Sequence, residues 1–205
     1  MMDYKFTGQN DNMLFRMIED VHKALDAEAY MAALTLALTI PDVCGRAEYP
    51  NEDSSKVRYI KWFDQEVSYS EHPDYSKMDP QKANEAKKLP HLSGEAVYQL
   101  RCAVLHQGNP NIDNGKIKDD DNKIDHFIVE YEKPKTISFF SDTSVYNRFS
   151  KQKRYTVSLN RLCLIICAVA EGYYNDNKEK FDFFNYELID KDERLSQFFP
   201  IDMMR

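Results

Sequence analysis

The sequence predicts a mainly α-helical domain with one small β element. Two observations carry this. Apolar residues recur at helical spacing through several long stretches, and two short runs rich in Ile, Val, Phe and Tyr flank a Lys-Pro-Lys turn. The 205 residues fit a single domain spanning 1–205, long enough to bury a core. Hydrophobic residues make up 42% and charged residues 30%, a globular balance that excludes a disordered tail.

Residues 11–25 place Leu14, Met17, Ile18, Val21 and Leu25 on one face of an amphipathic helix, with Asp11 or Asn12 as its cap. The next run, 27–40, is apolar nearly all round. It is shorter than the roughly 20 residues a membrane span needs, so it reads as a buried central helix that Pro41 ends. The Asp-Val-Cys-Gly-Arg segment after it reads as a turn. Val57, Ile60, Trp62, Phe63 and Val67 predict a helix over 54–69, with Trp62 as a core anchor whose indole N–H needs a partner. Residues 71–90 hold three prolines and read as a connection containing at most a short helix.

A helix then runs through Leu-Ser-Gly-Glu-Ala-Val-Tyr-Gln-Leu-Arg-Cys-Ala-Val-Leu-His-Gln-Gly-Asn-Pro, residues 92–110. Ser93 is its N-cap, Glu95 suits the positive end of its dipole, and Gly108 and Pro110 stop it. Residues 111–125 are polar, with Asp119, Asp120 and Asp121 in succession, and read as an exposed loop. The alternating carboxylate and glycine spacing of a calcium loop is not met. The runs 126–131 and 136–140 predict a β-hairpin inserted around 126–140. Basic residues 148–154 form an exposed loop before the last large helix, which begins near Thr156 or Ser158 and ends near Tyr174. A final helical segment closes the chain. The expected total is five or six helices.

The chemistry-bearing residues are few. Cys163 and Cys167 stand four apart, but no second histidine or cysteine pair accompanies them nearby, so they read as core thiols. No glycine-rich phosphate loop, His-Glu-x-x-His or nucleophile elbow is present, so neither a metal nor a cofactor is expected. Reduced cysteines and a polar opening stretch point to a cytoplasmic protein without membrane attachment. The net charge of −7 argues against a broad nucleic-acid-coating surface and leaves room for a local basic groove.

Arg101 and His106 stand out, being residues that a mostly buried helix would not choose. The Arg101-Cys-Ala-Val-Leu-His106 stretch resembles the Arg-x4–6-His motif of the HEPN superfamily, compact helical bundles that usually dimerise. Neighbouring Tyr59-Ile-Lys-Trp-Phe-Asp64 adds to the likeness. The resemblance implies a HEPN-like bundle, a homodimer and a metal-independent ribonuclease of the toxin or phage-defence kind. His106 would then be the general acid/base and Arg101 the phosphate clamp, across a dimer cleft. An imidazole suits proton transfer at a ribose hydroxyl, and a guanidinium grips a phosphate bidentately. Lys151, Lys153 and Arg154 are the expected substrate-binding cations on an RNA path, with Lys133 and Lys135 nearby. The alternative is a non-catalytic homodimeric module, such as the partner of a nucleotidyltransferase-type antitoxin. There Arg101 pairs with a carboxylate such as Asp42 or Asp64, and His106 caps its own helix.

Overall fold

The computed structural model describes residues 13–68, 77–86, 89, 91–133, 142–147 and 149–184. Helix α1 (Met13–Asp26) buries the five apolar residues that its period predicts. Helix α2 (Tyr30–Ala37) is shorter than expected, because the run 27–40 does not continue as one helix. Pro41 is the cause, but it acts as a beginning. A proline cannot donate to residue 37 and its ring collides with that carbonyl, so the helix must stop before it. The same fixed φ suits a first helical turn, and α3 (Ile40–Glu48) opens on Pro41. The segment expected as a turn is therefore helical, with Cys44, Gly45 and Ala47 buried.

Helix α4 (Ser55–Trp62) is capped by Ser54, whose Oγ accepts from the Val57 amide at 3.4 Å. It passes directly into a π-helical turn, Phe63–Ser68. Gly45 lets α3 lie close against α4, since a Cβ there would stand 2.9 Å from the Arg58 carbonyl oxygen. A short α5 (Pro80–Ala86) interrupts the proline-rich connection. Helix α6 (Gly94–Gln107) has the caps the sequence predicts: Ser93 Oγ accepts from the Ala96 amide, and Gly108 is left-handed at φ +68°. Helix α7 (Leu159–Asp176) is capped by Ser158 and packs against α1, α2 and α3.

Three strands complete the described fold. β1 (His126–Glu130) is the first arm of the expected hairpin; the expected second arm, 136–140, lies outside the described residues. The described neighbour of β1 is β3 (Gln152–Ser158), paired in parallel from His126 with Arg154 to Glu130 with Ser158. The hairpin that is present joins β2 (Thr143–Asn147) to β3 in antiparallel register. The order is β1-β3-β2. The basic segment expected as a loop thus ends inside the central strand.

The core gathers Leu14, Leu34, Leu38, Tyr59, Trp62, Phe63, Leu100 and Ile166, each at most 2% exposed. The loop 111–125 contributes as well: Ile112, Ile117 and Ile124 are buried, so it is pinned by three isoleucines at an otherwise polar surface. Among the described residues no helix is long and apolar enough to cross a membrane.

Candidate functional site

Arg101 projects from α6 toward α3. Its Nε donates to Asp42 Oδ2 at 2.7 Å, and both side chains are about three-quarters buried. Asp42 lies in the first turn of α3, next to Pro41, so the proline that starts that helix also sets where its carboxylate stands. Burial pushes the Asp42 carboxyl above the ordinary aspartate range, and Arg101, with Arg58 behind it, pulls it back. Burial alone would weaken the charge on Arg101, but Asp42 outweighs that and keeps the guanidinium protonated. The Arg101 guanidinium carbon also lies 5.7 Å from the Tyr98 ring centroid, a cation–π distance. Tyr98 in turn meets Tyr59 edge-on at 5.4 Å, and the Tyr59 hydroxyl donates to the Leu38 carbonyl at 3.1 Å. Arg101 is therefore held by a carboxylate on one side and an aromatic wall on the other.

The attachment to Asp42 uses Nε alone. No hydrogen bond within the described residues connects an Arg101 Nη group to Asp42, so the outer edge of the guanidinium fork is not spent on that carboxylate. Asp64, the other carboxylate considered from sequence, does something else. Its Oδ1 accepts the Gly94 amide at 2.6 Å and so holds the start of α6.

His106 sits in the last turn of α6 and is exposed. Positions five apart on an ideal helix are separated by about 140° around the axis. Arg101 faces α3, whereas His106 faces outward. The histidine does not cap the helix through a hydrogen bond to any described residue; that end is closed by the Gly108 amide donating to the Val104 carbonyl at 3.1 Å.

Just beyond, the chain borders a cleft of about 550 Å³ between the segment leaving α6 and the start of β1. Asn109 and Asn111 line one side, Asp125, His126 and Phe127 the other, and Ile112 and Ile124 contribute apolar surface. Asn114 braces it, donating to the Ile124 carbonyl at 2.7 Å and accepting the Ile124 amide at 3.2 Å. Asp125 and His126 adjoin each other where the loop enters β1. The cleft was not foreseeable from local pattern, because it forms where residues 109–114 meet residues 124–127.

The three expected substrate-binding cations are placed differently from one another. Lys151 is exposed in the β2–β3 turn with a left-handed φ of 56°. Lys153 is committed inward: its Nζ donates to the carbonyls of Asp120 and Asp121 at 3.0 and 2.9 Å. Its amide donates to Asp125 Oδ2 at 2.7 Å. The acidic run thus has a partner in the strand it covers. Arg154 is exposed and, among the described residues, meets no carboxylate. It lies beside His126 in the β1–β3 ladder.

A second polar cluster closes the other end of the sheet. Asp142 accepts the Ser158 amide at 3.0 Å, the Tyr155 hydroxyl at 2.8 Å and Arg161 Nη1 at 3.1 Å, while Ser158 Oγ donates to Glu132 at 3.1 Å. These carboxylates already occupy the positive end of α7, so the arrangement is a brace. Cys44, Cys163 and Cys167 are buried, and burial pushes their thiols well up, Cys167 to about 12. None is a ready nucleophile at neutral pH. Among the described residues no group of three or more His, Cys, Asp or Glu is placed to hold a metal ion.

Comparison with protein-family models, with curated proteins and with solved structures found no match to this chain.

Proposed function

We propose that the chain is a metal-independent ribonuclease of the HEPN kind, working as a homodimer in the cytoplasm, with a toxin or phage-defence role. The observation that supports it is the manner in which Arg101 is held. Asp42 takes Nε at 2.7 Å and orients the guanidinium, while the Nη edge stays uncommitted to that carboxylate. A guanidinium so fixed binds phosphate without first losing its own conformational freedom. His106, exposed on the last turn of the same helix, is the proton-transfer group at the ribose 2′-hydroxyl or the leaving 5′-oxygen. Because the two side chains diverge around α6, a second subunit would bring one copy's histidine toward the other copy's arginine.

The ion pair also favours a second reading. An arginine satisfied by Asp42 and Tyr98 is a sound structural tie between α6 and α3, with no catalytic duty. The chain would then be a non-catalytic homodimeric module, such as the partner of a nucleotidyltransferase-type antitoxin.

Incubating the purified chain with single-stranded RNA, with and without a chelator, separates the two. The ribonuclease reading expects cleavage that survives chelation and leaves a 2′,3′-cyclic phosphate. It also expects His106→Ala to slow cleavage by about 10² or more at an unchanged melting temperature. No cleavage, or a folded His106→Ala variant as active as the parent, would overturn it.

A further inference from the structure

We infer that the cleft between residues 109–114 and 124–127 is a binding site for an unpaired nucleobase, with the adjoining phosphate taken by Arg154. The cleft's volume, about 550 Å³, lies in the range of small-molecule sites. Its lining decides the class of ligand. Among the described residues no lysine or arginine lines it, which argues against an anion hole. Asp125 is the one carboxylate among its described lining residues, fewer than a cation site needs, and it also accepts the Lys153 amide. What remains is neutral and polar above an apolar bed, which suits a flat heterocycle with donors and acceptors on its edge.

Two hydrogen-bonding groups on the lining are uncommitted. The Asn111 carboxamide and the His126 imidazole are exposed and make no hydrogen bond to another described residue. By contrast, the Asn114 amide is spent at both ends on Ile124, and the Asn109 carbonyl oxygen accepts the Asn111 amide. A carboxamide offers the donor–acceptor pair that reads a base edge bidentately. Phe127, the next residue on β1, is half-buried with its ring stacked on Tyr155 at an interplanar angle of 6°, so it is a fixed part of the apolar bed.

The phosphate position follows from register. His126 pairs with Arg154 across the parallel ladder, and in-register residues of neighbouring strands point to the same face. Arg154 is therefore an exposed cation directly beside the cleft's histidine. Asn109, on the rim, follows His106 by three residues, which sets the proposed base site close in the chain to the proposed proton-transfer group. The base site rests on the ribonuclease reading only for that last link; its affinity does not.

The test measures equilibrium binding of AMP, of a short single-stranded RNA and of a fully paired RNA duplex to the full chain, by calorimetry, in a His106→Ala background chosen to slow cleavage. The single strand is expected to bind more tightly than the duplex. Asn111→Ala and His126→Ala should each weaken it by about tenfold, the size of one lost base-edge contact. Arg154→Ala should weaken binding and flatten its salt dependence. All three positions are exposed, so thermal melts should not move. AMP binding that these variants abolish, with RNA binding unaffected, assigns the same site to free nucleotides. Unchanged affinity for both ligands in folded variants overturns the inference. Wild-type cleavage separates it from its premise. If RNA is cut and Asn111→Ala and His126→Ala leave KM unchanged, the base site is wrong and the ribonuclease reading stands. If no RNA is cut but AMP binding depends on Asn111 and His126, the ribonuclease reading falls and the base site stands.

Discussion

Arg101 Nε and Asp42 Oδ2 stand 2.7 Å apart and tie the middle of α6 to the first turn of α3. Both side chains are mostly buried, so either one left alone is an uncompensated charge in a partly desolvated place. Asp42→Ala should therefore destabilise the fold by about 1.5–3 kcal/mol, the range for hydrogen bonds to charged groups. Removing Arg101 as well should cost less than the sum of the two single changes. Denaturant midpoints of the four proteins in this cycle check it, and strict additivity would mean the pair is not coupled.

Arginine identity should matter separately from charge. Arg101→Lys keeps a cation near Asp42 but offers no planar fork, and an ammonium meeting both Asp42 and a phosphate cannot present two parallel donors. The expected outcome is a nearly unchanged melting temperature with RNA cleavage lowered by about 10². A lysine variant that cleaves like the parent would leave Arg101 as a tether only.

The second tether is pH-sensitive. Glu48 accepts Lys180 Nζ at 2.6 Å and the Tyr173 hydroxyl, joining α3 to the end of α7 and the turn after it. Burial alone would raise the Glu48 carboxyl, but the Lys180 and Tyr173 donors outweigh it and hold it below the ordinary value of 4.5. A carboxyl depressed in the folded state contributes stability that is present above 4.5 and lost as pH falls through its lowered value. Glu48→Gln should thus be less stable than the parent at neutral pH, and the gap should close on acidification below that point. Melting curves across pH 2–7 measure it, and a pH-independent gap would refute the assignment.

Glycine replacements should divide by geometry. At Gly94 an added Cβ would stand 2.6 Å from the Ile60 carbonyl oxygen, a backbone collision that only movement of α6 can relieve. Gly94→Ala should cost about 1–3 kcal/mol. At Gly172, inside α7, a Cβ meets nothing within 4 Å. Gly172→Ala should stabilise by about 0.5–1 kcal/mol, because alanine gives up less backbone freedom in a helix. Paired thermal melts would show opposite shifts.

The ends of α6 and α7 were legible because their signals are local. Ser93, Gly108 and Ser158 each act on amides or carbonyls within a few residues. Pro41 was legible as a boundary but not in its direction. The same missing N–H and fixed φ end one helix and begin the next, and only the burial of Cys44 and Ala47 against the core selects a helix after it. β2 and the first half of β3 carry little hydrophobic alternation, since the inward-facing positions include Ser144 and Lys153 while the apolar Val145 faces outward beside Arg154. Lys151, Lys153 and Arg154 consequently read as a basic loop.

Sequence by itself determined the helical class, the periodic faces of α1, α6 and α7, the caps, and the presence of an arginine and a histidine on one helix. These follow from torsional preference and apolar spacing, which act over a few residues. Tertiary structure decided which carboxylate Arg101 meets, since Asp42 is 59 residues away and its rival Asp64 is drawn off by the Gly94 amide. It also decided the parallel partner of β1, the inward commitment of Lys153 and the cleft beside His126. Each of these depends on burying one element against another distant in the chain, an outcome set by the competition of whole faces for the core, which no local spacing records.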